Sequence, residues 1–342
     1  MQKANACFLV LVALLLTGCG GAVGPPPAPV QPDVPTLVSA SPSPSELQHI
    51  DLGVGYVPSV QFAPLYVAQA KGFFLEQGLE VALEHGFEHD FVALTGQGKR
   101  QFAVASGDQV ILSREQGLPI VYVMKWFQRY PVGVMALSDT GIDSPKALEG
   151  RSVGIPGLYG ASYAGWKVLA HAAGVDETAV RLESIGFAQA EAVSQGQVEA
   201  SVIYIVNEPI QLRQAGLEVN VMEVSDYIDM VSNGIVTNET TIRENPGLVR
   251  RLVRGSLNGL EYALAHPDET FAIARQAVPE ITDENADVQR AVLEASMDLW
   301  RSDQPGVSDP QAWLDTVQAM QATGMVEATV DVGELYTNQF VE

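Results

Sequence analysis

The chain has 342 residues, with 41 acidic against 19 basic side chains and a formal net charge of −22 at pH 7. A surface of this sign repels nucleic acid and anionic lipid head groups, so we expect no nucleic-acid partner. The two cysteines, Cys7 and Cys19, lie near the amino terminus. The rest of the chain therefore has no disulfide, no thiol nucleophile and no cysteine metal ligand.

Residues 1–18 are predicted to be a secretion signal. Lys3 provides a sparse positive start, and residues 8–16 (FLVLVALLL) form an apolar run too short to span a bilayer comfortably. The four residues 16–19 (LTGC) resemble a bacterial lipobox, in which cleavage leaves a lipidated cysteine as the first residue. Cys19 is therefore predicted to be a lipid anchor that holds the protein on the extracytoplasmic side of the cell membrane.

Residues 19–45 are predicted to be a tether between the lipidated cysteine and a folded body. Eight prolines lie between Pro25 and Pro44, and the stretch shows no periodic apolar face. Proline-rich chain favours extended, semi-rigid conformations, so the body is expected to stand off the membrane while remaining attached to it.

From Glu46 onward, apolar strand-like runs alternate with helix-like segments. Residues 49–57 (HIDLGVGYV) and 79–84 (LEVALE) read as strands, and 63–74 (APLYVAQAKGFF) reads as a helix with a proline in its first turn. A second block repeats this scheme from Ser144, and residues 240–324 are nearly all helical in pattern. This alternation predicts an α/β fold with mainly parallel strands, arranged as two lobes around a cleft.

Ligands of open α/β sheets collect at the carboxyl ends of strands. In this sequence those ends carry aromatic and small polar side chains, which indicate a pocket for a flat molecule. The candidate ligand-binding residues are Tyr56, Ser59, Phe62, Asp108, Trp126, Tyr159, Tyr163, Tyr204, Asn207 and Glu208.

Each candidate also has a structural explanation. The aromatic rings could pack in a core or between the lobes, as is expected for Trp166, Trp300 and Trp313. Asp108 and Asn207 are each expected first as helix caps and second as ligand contacts. Glu208 fits equally well as a ligand contact and as an acid stabilised by a helix dipole.

Four stretches together resemble the solute-binding lipoproteins of bacterial ABC importers, in the group that takes up thiamine pyrimidine precursors and related vitamins. They are VGYVPSVQFAPLYVAQAKGFFLEQGLEV (54–81), FAVASGDQVILSREQGLPIVYV (102–123), LEGRSVGIPGLYGASYAGWKVLAHAAGVD (148–176) and GQVEASVIYIVNEP (196–209). The chain is most similar to the riboflavin-binding members of that group.

The resemblance implies a two-lobed, type II periplasmic-binding-protein-like fold with a helical carboxyl-terminal return. Lobe 1 is expected to combine residues 46–138 with 238–342, and lobe 2 to span residues 139–237. It also implies hinge closure around a small molecule, which an ABC permease and its ATPase then receive. No cofactor is expected, because riboflavin is the transported ligand.

Two positions bear on which ligand the resemblance implies. Pyrimidine-binding relatives typically carry a histidine where this chain has Phe62, and a phenyl ring can stack on a flavin but cannot donate to an anion. Glu208 matches the family's glutamate, which can accept from the N–H groups of an aminopyrimidine or of a flavin edge. Riboflavin is therefore the first expectation, and a thiamine pyrimidine precursor of the formylaminopyrimidine type is the second.

Other functions stay open at this point. Related pyrimidine synthases share the fold, but they depend on a histidine and a cysteine cluster that this chain lacks, so no catalytic residue is expected. A sulfonate- or nitrate-type binding protein would need a buried arginine, and Arg100, Arg114 and Arg129 all lie in polar contexts. A sensing lipoprotein that docks a receptor is a further alternative. His85 and His89 are separated by Gly86, which argues against a helical metal site.

Overall fold

A computed structural model describes residues 47–341. The predicted signal peptide, the predicted lipidation site Cys19 and the predicted tether lie outside the described residues. The strands in chain order are β1 (Gln48–Gly55), β2 (Leu79–Gly86), β3 (Phe102–Ala105), β4 (Ile120–Lys125), β5 (Val132–Leu137), β6 (Ser152–Ile155), β7 (Arg181–Ser184), β8 (Ala200–Tyr204), β9 (Val219–Glu223) and β10 (Gly234–Asn238).

Helices cover both sheets and form the carboxyl-terminal return. They are α1 (Ala63–Ala70), α2 (Phe73–Glu76), α3 (Glu88–Gly96), α4 (Gly107–Glu115), α5 (Gly160–Ala172), α6 (Gln189–Ser194), α7 (Glu208–Gln214), α8 (Glu239–Glu244), α9 (Pro246–Ala265), α10 (Pro267–Ala277), α11 (Ala286–Trp300), α12 (Pro310–Ala322) and α13 (Val332–Leu335). Helices α8 to α12 confirm the helical pattern predicted for residues 240–324.

The strands form two five-stranded sheets with the same arrangement. The first has the order β2-β1-β3-β10-β4, and the second has the order β7-β6-β8-β5-β9. In each sheet the first three strands in this order are parallel. The fourth strand, which is β10 in the first sheet and β5 in the second, pairs antiparallel with both of its neighbours. The prediction of an α/β fold with mainly parallel strands is confirmed.

Both predicted lobe boundaries differ from those that the strand pairing gives. Residues 132–137 had been assigned to lobe 1, but β5 lies inside the second sheet between β8 and β9. Residues 234–237 had been assigned to lobe 2, but β10 lies inside the first sheet between β3 and β4. The reason is that each strand that follows a crossing enters the new sheet at once and fills its backbone hydrogen bonds by antiparallel pairing.

We therefore define lobe 1 as residues 47–125 and 234–341, and lobe 2 as residues 132–226. The crossing segments are residues 126–131 and 227–233. They contact each other, since the Asn233 carbonyl accepts hydrogen bonds from the N–H groups of Trp126 at 3.1 Å and Phe127 at 3.0 Å.

Local sequence signals account for the ends of several elements. Pro64 lies in the first turn of α1, where its missing N–H is not needed. Gly78 follows α2 and adopts a φ of 69°, a conformation that glycine reaches without a Cβ clash, and β2 begins at the next residue.

Both faces of each sheet are covered by apolar side chains. In lobe 1, α1, α9 and α11 pack against one face around Leu52 and Trp300, while Trp313 of α12 packs against the other. In lobe 2, Trp166 of α5 packs against one face and α6 and α7 cover the other. The expected core positions of Trp166, Trp300 and Trp313 are confirmed, since none is more than 2% exposed.

None of the helices in residues 47–341 combines the length and apolar character needed to cross a bilayer.

Candidate ligand-binding cleft

A cavity lies between the two lobes, at the carboxyl ends of strands from both sheets. Residues that follow β1, β2, β4, β6 and β8 all contribute to its lining, as the strand-end rule predicts. Seven of the ten predicted site residues line this cavity: Tyr56, Phe62, Trp126, Tyr159, Tyr204, Asn207 and Glu208.

The base of the cavity is aromatic and belongs to the core of lobe 1. Phe62 lies in a short 3-10 helix after β1, and Trp126 directly follows β4. Their ring centroids are 6.2 Å apart at 66°, and Trp126 also packs 6.0 Å from Trp300. Because Trp126 is only 2% exposed, this part of the site is preformed by core packing.

Tyr56 is held in a strained backbone conformation at the cavity wall. Its φ is 80°, which is unusual for a residue with a bulky side chain and costs on the order of 1–3 kcal/mol. Its N–H donates to the Gly86 carbonyl at 2.7 Å, and its hydroxyl accepts from Asn207 Nδ2 at 3.3 Å. Burial raises the pKa of the Tyr56 hydroxyl, so it keeps its proton at neutral pH.

Aromatic side chains from both lobes meet at the mouth of the cavity. Phe87 of lobe 1 stacks against Phe187 of lobe 2 with centroids 6.0 Å apart at 28°. Tyr159 lies 5.9 Å from Phe87 and 4.5 Å from His89, while Tyr56 contacts Phe187 edge-on at 4.8 Å. We call the three rings Phe87, Tyr159 and Phe187 the rim; each is 40–46% exposed.

The sequence analysis identified Tyr159 but missed Phe87 and Phe187. A usable signal was present, since Phe87 directly follows β2 and Phe187 lies in the loop after β7. Both rings thus lie after the carboxyl ends of strands, where ligands of such sheets collect.

Asn207 and Glu208 form a polar wall on lobe 2. Glu208 Oε2 accepts from the Tyr204 N–H at 2.9 Å, and Oε1 accepts from Asn207 Nδ2 at 3.1 Å. Burial is the main cause that raises the pKa of Glu208 to about 7. Both positions expected for Glu208 are found. It is the first residue of α7, where the helix dipole can stabilise an acid, and it also lines the cavity.

The expectation that Asn207 caps α7 with its side chain is wrong. Asn207 does precede the helix, but its side chain makes no capping hydrogen bond. Its amide nitrogen bonds to Tyr56 and Glu208, and its Oδ1 accepts from Gln211 Nε2 at 2.9 Å. The side chain therefore links lobe 2 to lobe 1 at the cleft.

A second acidic cluster lies on lobe 1. Glu88, the first residue of α3, lines the cavity, and its Oε1 accepts from Ser106 N at 2.6 Å and Ser106 Oγ at 2.9 Å. Asp108 lies behind it, where its carboxylate contacts Tyr130 Oη at 3.0 Å and Gln109 Nε2 at 2.6 Å. Burial raises the pKa of Glu88 to about 7 and also raises the pKa of Asp108.

Asp108 was expected to cap α4 and is instead inside its first turn, because Ser106 is the residue that precedes the helix. Tyr130 connects this cluster to lobe 2, since its hydroxyl also lies 2.8 Å from the Ala161 carbonyl of α5. Sequence reasoning missed Glu88, which stands in the hydrophilic stretch "EHDF" without a distinguishing motif.

Three predicted residues do not line the cavity. Ser59 precedes the 3-10 helix Val60–Phe62, and its hydroxyl accepts from Gln61 N at 3.3 Å. Asp108 is fully buried behind Glu88, and Tyr163 packs against the core of lobe 2.

Several buried polar atoms at the cavity have no hydrogen-bond partner among the described residues. They are Trp126 Nε1, Gln189 Oε1 and His89 Nδ1. Trp126 and Gln189 are 2% and 4% exposed, so water does not readily satisfy them. Trp300 Nε1 and Trp313 Nε1, which are buried in the core away from the cavity, are unpaired in the same way.

Neither a metal site nor a cationic anion-binding site is found in residues 47–341. No group of histidine and acidic side chains there could hold a metal ion. Arg100, Arg114 and Arg129 pair with Glu84, Glu239 and Glu223 respectively, away from the cavity lining.

The chain is similar in sequence to two characterised binding proteins. The chain is 38% identical to the riboflavin-binding protein RibY of Chloroflexus aurantiacus, over 100% of this chain and 99% of that one. It is 26% identical to the formylaminopyrimidine-binding protein of Halalkalibacterium halodurans, over 85% of this chain and 90% of that one.

The structure is similar to the periplasmic aliphatic sulphonate binding protein SsuA of Escherichia coli. The TM-score is 0.66 at 13% identity, and the match covers 84% of this chain and 91% of that one. At this identity the likeness establishes the fold, which is that of periplasmic binding proteins. Residues 59–270 match the family described as NMT1/THI5 like, and the chain therefore belongs to that family.

Proposed function

We propose that this protein is the extracytoplasmic solute-binding component of an ABC importer. It captures riboflavin in the cleft between its lobes and delivers the vitamin to a membrane permease and its ATPase. The full-length similarity to a riboflavin-binding protein supports this ligand. The proposal is a binding function without catalysis.

The observation that carries the proposal is a cavity between the lobes that is lined by aromatic rings from both lobes and by the polar residues Asn207 and Glu208 on one wall. The isoalloxazine ring system has two large apolar faces and one edge that carries both N–H and carbonyl groups. Asn207 and Glu208 line the same cavity and carry an amide and a carboxyl group, which can pair with such an edge.

Capture also requires that the lobes close over the ring. The rim rings come from both lobes, and the two crossing segments are joined through the Asn233 carbonyl, which suits a hinge. Closure by such a hinge would present a combined surface of both lobes to the permease.

Membrane attachment through Cys19 remains a prediction from sequence. In this proposal the lipid holds the body near the permease, and the proline-rich tether gives it reach. Replacing Cys19 with alanine is expected to move the protein from the membrane fraction to the soluble extracytoplasmic fraction.

Titration of the purified protein with riboflavin, followed by flavin fluorescence, tests the ligand. We expect quenching with one-to-one stoichiometry, because the flavin lies against aromatic rings. The absence of quenching, together with thermal stabilisation by formylaminopyrimidine, would replace riboflavin with the pyrimidine ligand.

Two variants test the position of the ligand. Phe62→Ala removes a ring from the base, and Glu208→Gln removes the charge while keeping an acceptor for the Tyr204 N–H. Each is expected to weaken riboflavin binding about tenfold, the equivalent of one lost polar or stacking contact. A control is Leu314→Ala, which changes an exposed apolar side chain on α12 that does not line the cavity. Unchanged affinity in both cleft variants would contradict the assignment of the site.

A further inference from the structure

The described lining of the cavity contains acidic residues but no lysine or arginine. It includes Glu88 and Glu208, together with His89. A charged ligand group that enters a closed cleft loses its hydration and must find compensation there. This lining offers an anion no lysine or arginine side chain.

Glu88 occupies the place where a cleft of this kind could hold an anion. Ser106 lies at the carboxyl end of β3 and directly before α4, and both its N–H and its hydroxyl donate to Glu88 Oε1. Anions of ligands commonly bind at such strand-end and helix-start positions. Here a carboxylate of the chain itself takes these donors, and Asp108 in the first turn of α4 adds a second acid.

One feature of the lining acts in the opposite direction. The start of α5 contributes Gly160, Ala161 and Ser162 to the cavity wall. A helix start is equivalent to about half a positive charge, which is smaller than the charge of the two lining carboxyl groups when they are ionised. Above neutral pH the negative charge of the two carboxyl groups therefore exceeds the positive charge of the helix start, which disfavours the binding of an anion.

We propose that Glu88 is a specificity-determining residue that keeps phosphorylated ligands, such as the 5′-phosphate ester of riboflavin, out of the cleft. The proposal rests on the proposed flavin-binding function. It identifies the ligand as the unphosphorylated vitamin.

The test compares riboflavin and its 5′-phosphate on the full chain at pH 8 by fluorescence titration. We expect the wild-type protein to bind the phosphate ester about a hundredfold more weakly than riboflavin, as two nearby like charges at low effective dielectric predict. Glu88→Gln removes the charge but keeps an acceptor for Ser106. In this variant the preference for riboflavin over its 5′-phosphate is expected to fall about tenfold. Glu88→Asp keeps the carboxylate and is expected to retain most of the discrimination.

A matched control removes one acidic charge elsewhere. Glu294→Gln changes an exposed residue on α11 and is expected to leave the affinity ratio at its wild-type value. A similar narrowing in this control would show that net charge, and not Glu88, causes the rejection.

Several distinct results would overturn the proposal. Equal affinities of the wild-type protein for the two flavins would refute it while leaving flavin binding intact. An unchanged ratio in Glu88→Gln, or the same ratio in Glu88→Gln and Glu88→Asp, would refute the role of the Glu88 charge. If neither flavin binds, the proposed function fails, and thermal stabilisation of the wild-type protein by inorganic phosphate would separately refute anion exclusion.

Discussion

The two lobes share a strand arrangement but present their side chains to the cleft differently. Lobe 1 and the crossing segment packed on it contribute rings that are part of a core, such as Trp126 at 2% exposure. Lobe 2 contributes Tyr159 and Phe187, which are 40% and 43% exposed, and lobe 1 adds Phe87, which is 46% exposed, to the same rim. A repeated sheet topology therefore does not determine the chemistry of the site, which depends on the loops at the strand ends.

This difference suggests distinct roles for the buried rings at the base of the cavity and the half-exposed rings of the rim. A ring fixed in a core offers a preformed surface with little entropy to lose on binding, whereas a half-exposed ring keeps rotamer freedom that binding must restrict. We infer that the flavin first rests on the lobe 1 base and that lobe 2 then covers it.

The largest expected effect is on stability and separates the base from the rim. Trp126→Ala is expected to lower the free energy of unfolding by about 3–5 kcal/mol, because it leaves a cavity in a packed core. Phe187→Ala is expected to lower the same quantity by only about 0.5–1.5 kcal/mol, since the half-exposed ring loses aromatic contacts with Phe87 and Tyr56 but leaves no core cavity. Urea unfolding measures both, and similar losses in the two variants would contradict the distinction between base and rim.

The second effect is a dependence of stability on pH, which the buried glutamate of each lobe is expected to cause. Burial raises the pKa of Glu88 in lobe 1 and of Glu208 in lobe 2 to about 7, well above the usual range for glutamate. The folded protein therefore holds these protons more tightly than the unfolded chain. The resulting stability is present at low pH and is lost as pH rises from about 4.5 through 7.

From pH 6 to pH 8 we expect the free energy of unfolding to fall by about 1 kcal/mol for each of these carboxyl groups. Unfolding in urea at several pH values measures this slope. Glu88→Gln and Glu208→Gln should each remove part of it, and a slope that neither variant changes would show that other groups cause the pH dependence.

The smallest expected effect is coupling across the rim. Phe87 and Phe187 stack from opposite lobes, and aromatic pairs contribute about 0.5–1.5 kcal/mol beyond area burial. We expect Phe87→Ala and Phe187→Ala each to weaken riboflavin binding severalfold, and the double variant to lose less than the sum of the two. Fluorescence titration of the four proteins gives the coupling, and strict additivity would indicate that the rings act independently.

A large part of this molecule could be predicted from sequence. The alternation of apolar strands with helices, Pro64 at a helix start and Gly78 after a helix end are local signals, so they fixed the fold class and most elements. Seven of the ten candidate residues line the cavity because strand ends meet at one edge of a sheet whatever the details of packing.

Other features depended on tertiary structure. The lobe boundaries moved because strand partners, and not local composition, decide to which sheet β5 and β10 belong. Asp108 and Asn207 were expected to act as caps because short polar side chains before helices usually do so. Each instead forms a hydrogen bond with a residue distant in sequence, Asp108 with Tyr130 and Asn207 with Tyr56.

The sequence by itself determined the fold class, the predicted export and lipid-anchor signals, and the aromatic character of the cleft, because these depend on periodicity, composition and short motifs. Only the tertiary structure decided that Glu88 faces the ligand cavity while Asp108 lies behind it, and that Phe87 stacks on Phe187. Burial, pairing and charge proximity arise between segments far apart in the chain. A linear sequence read without its fold does not contain those distances.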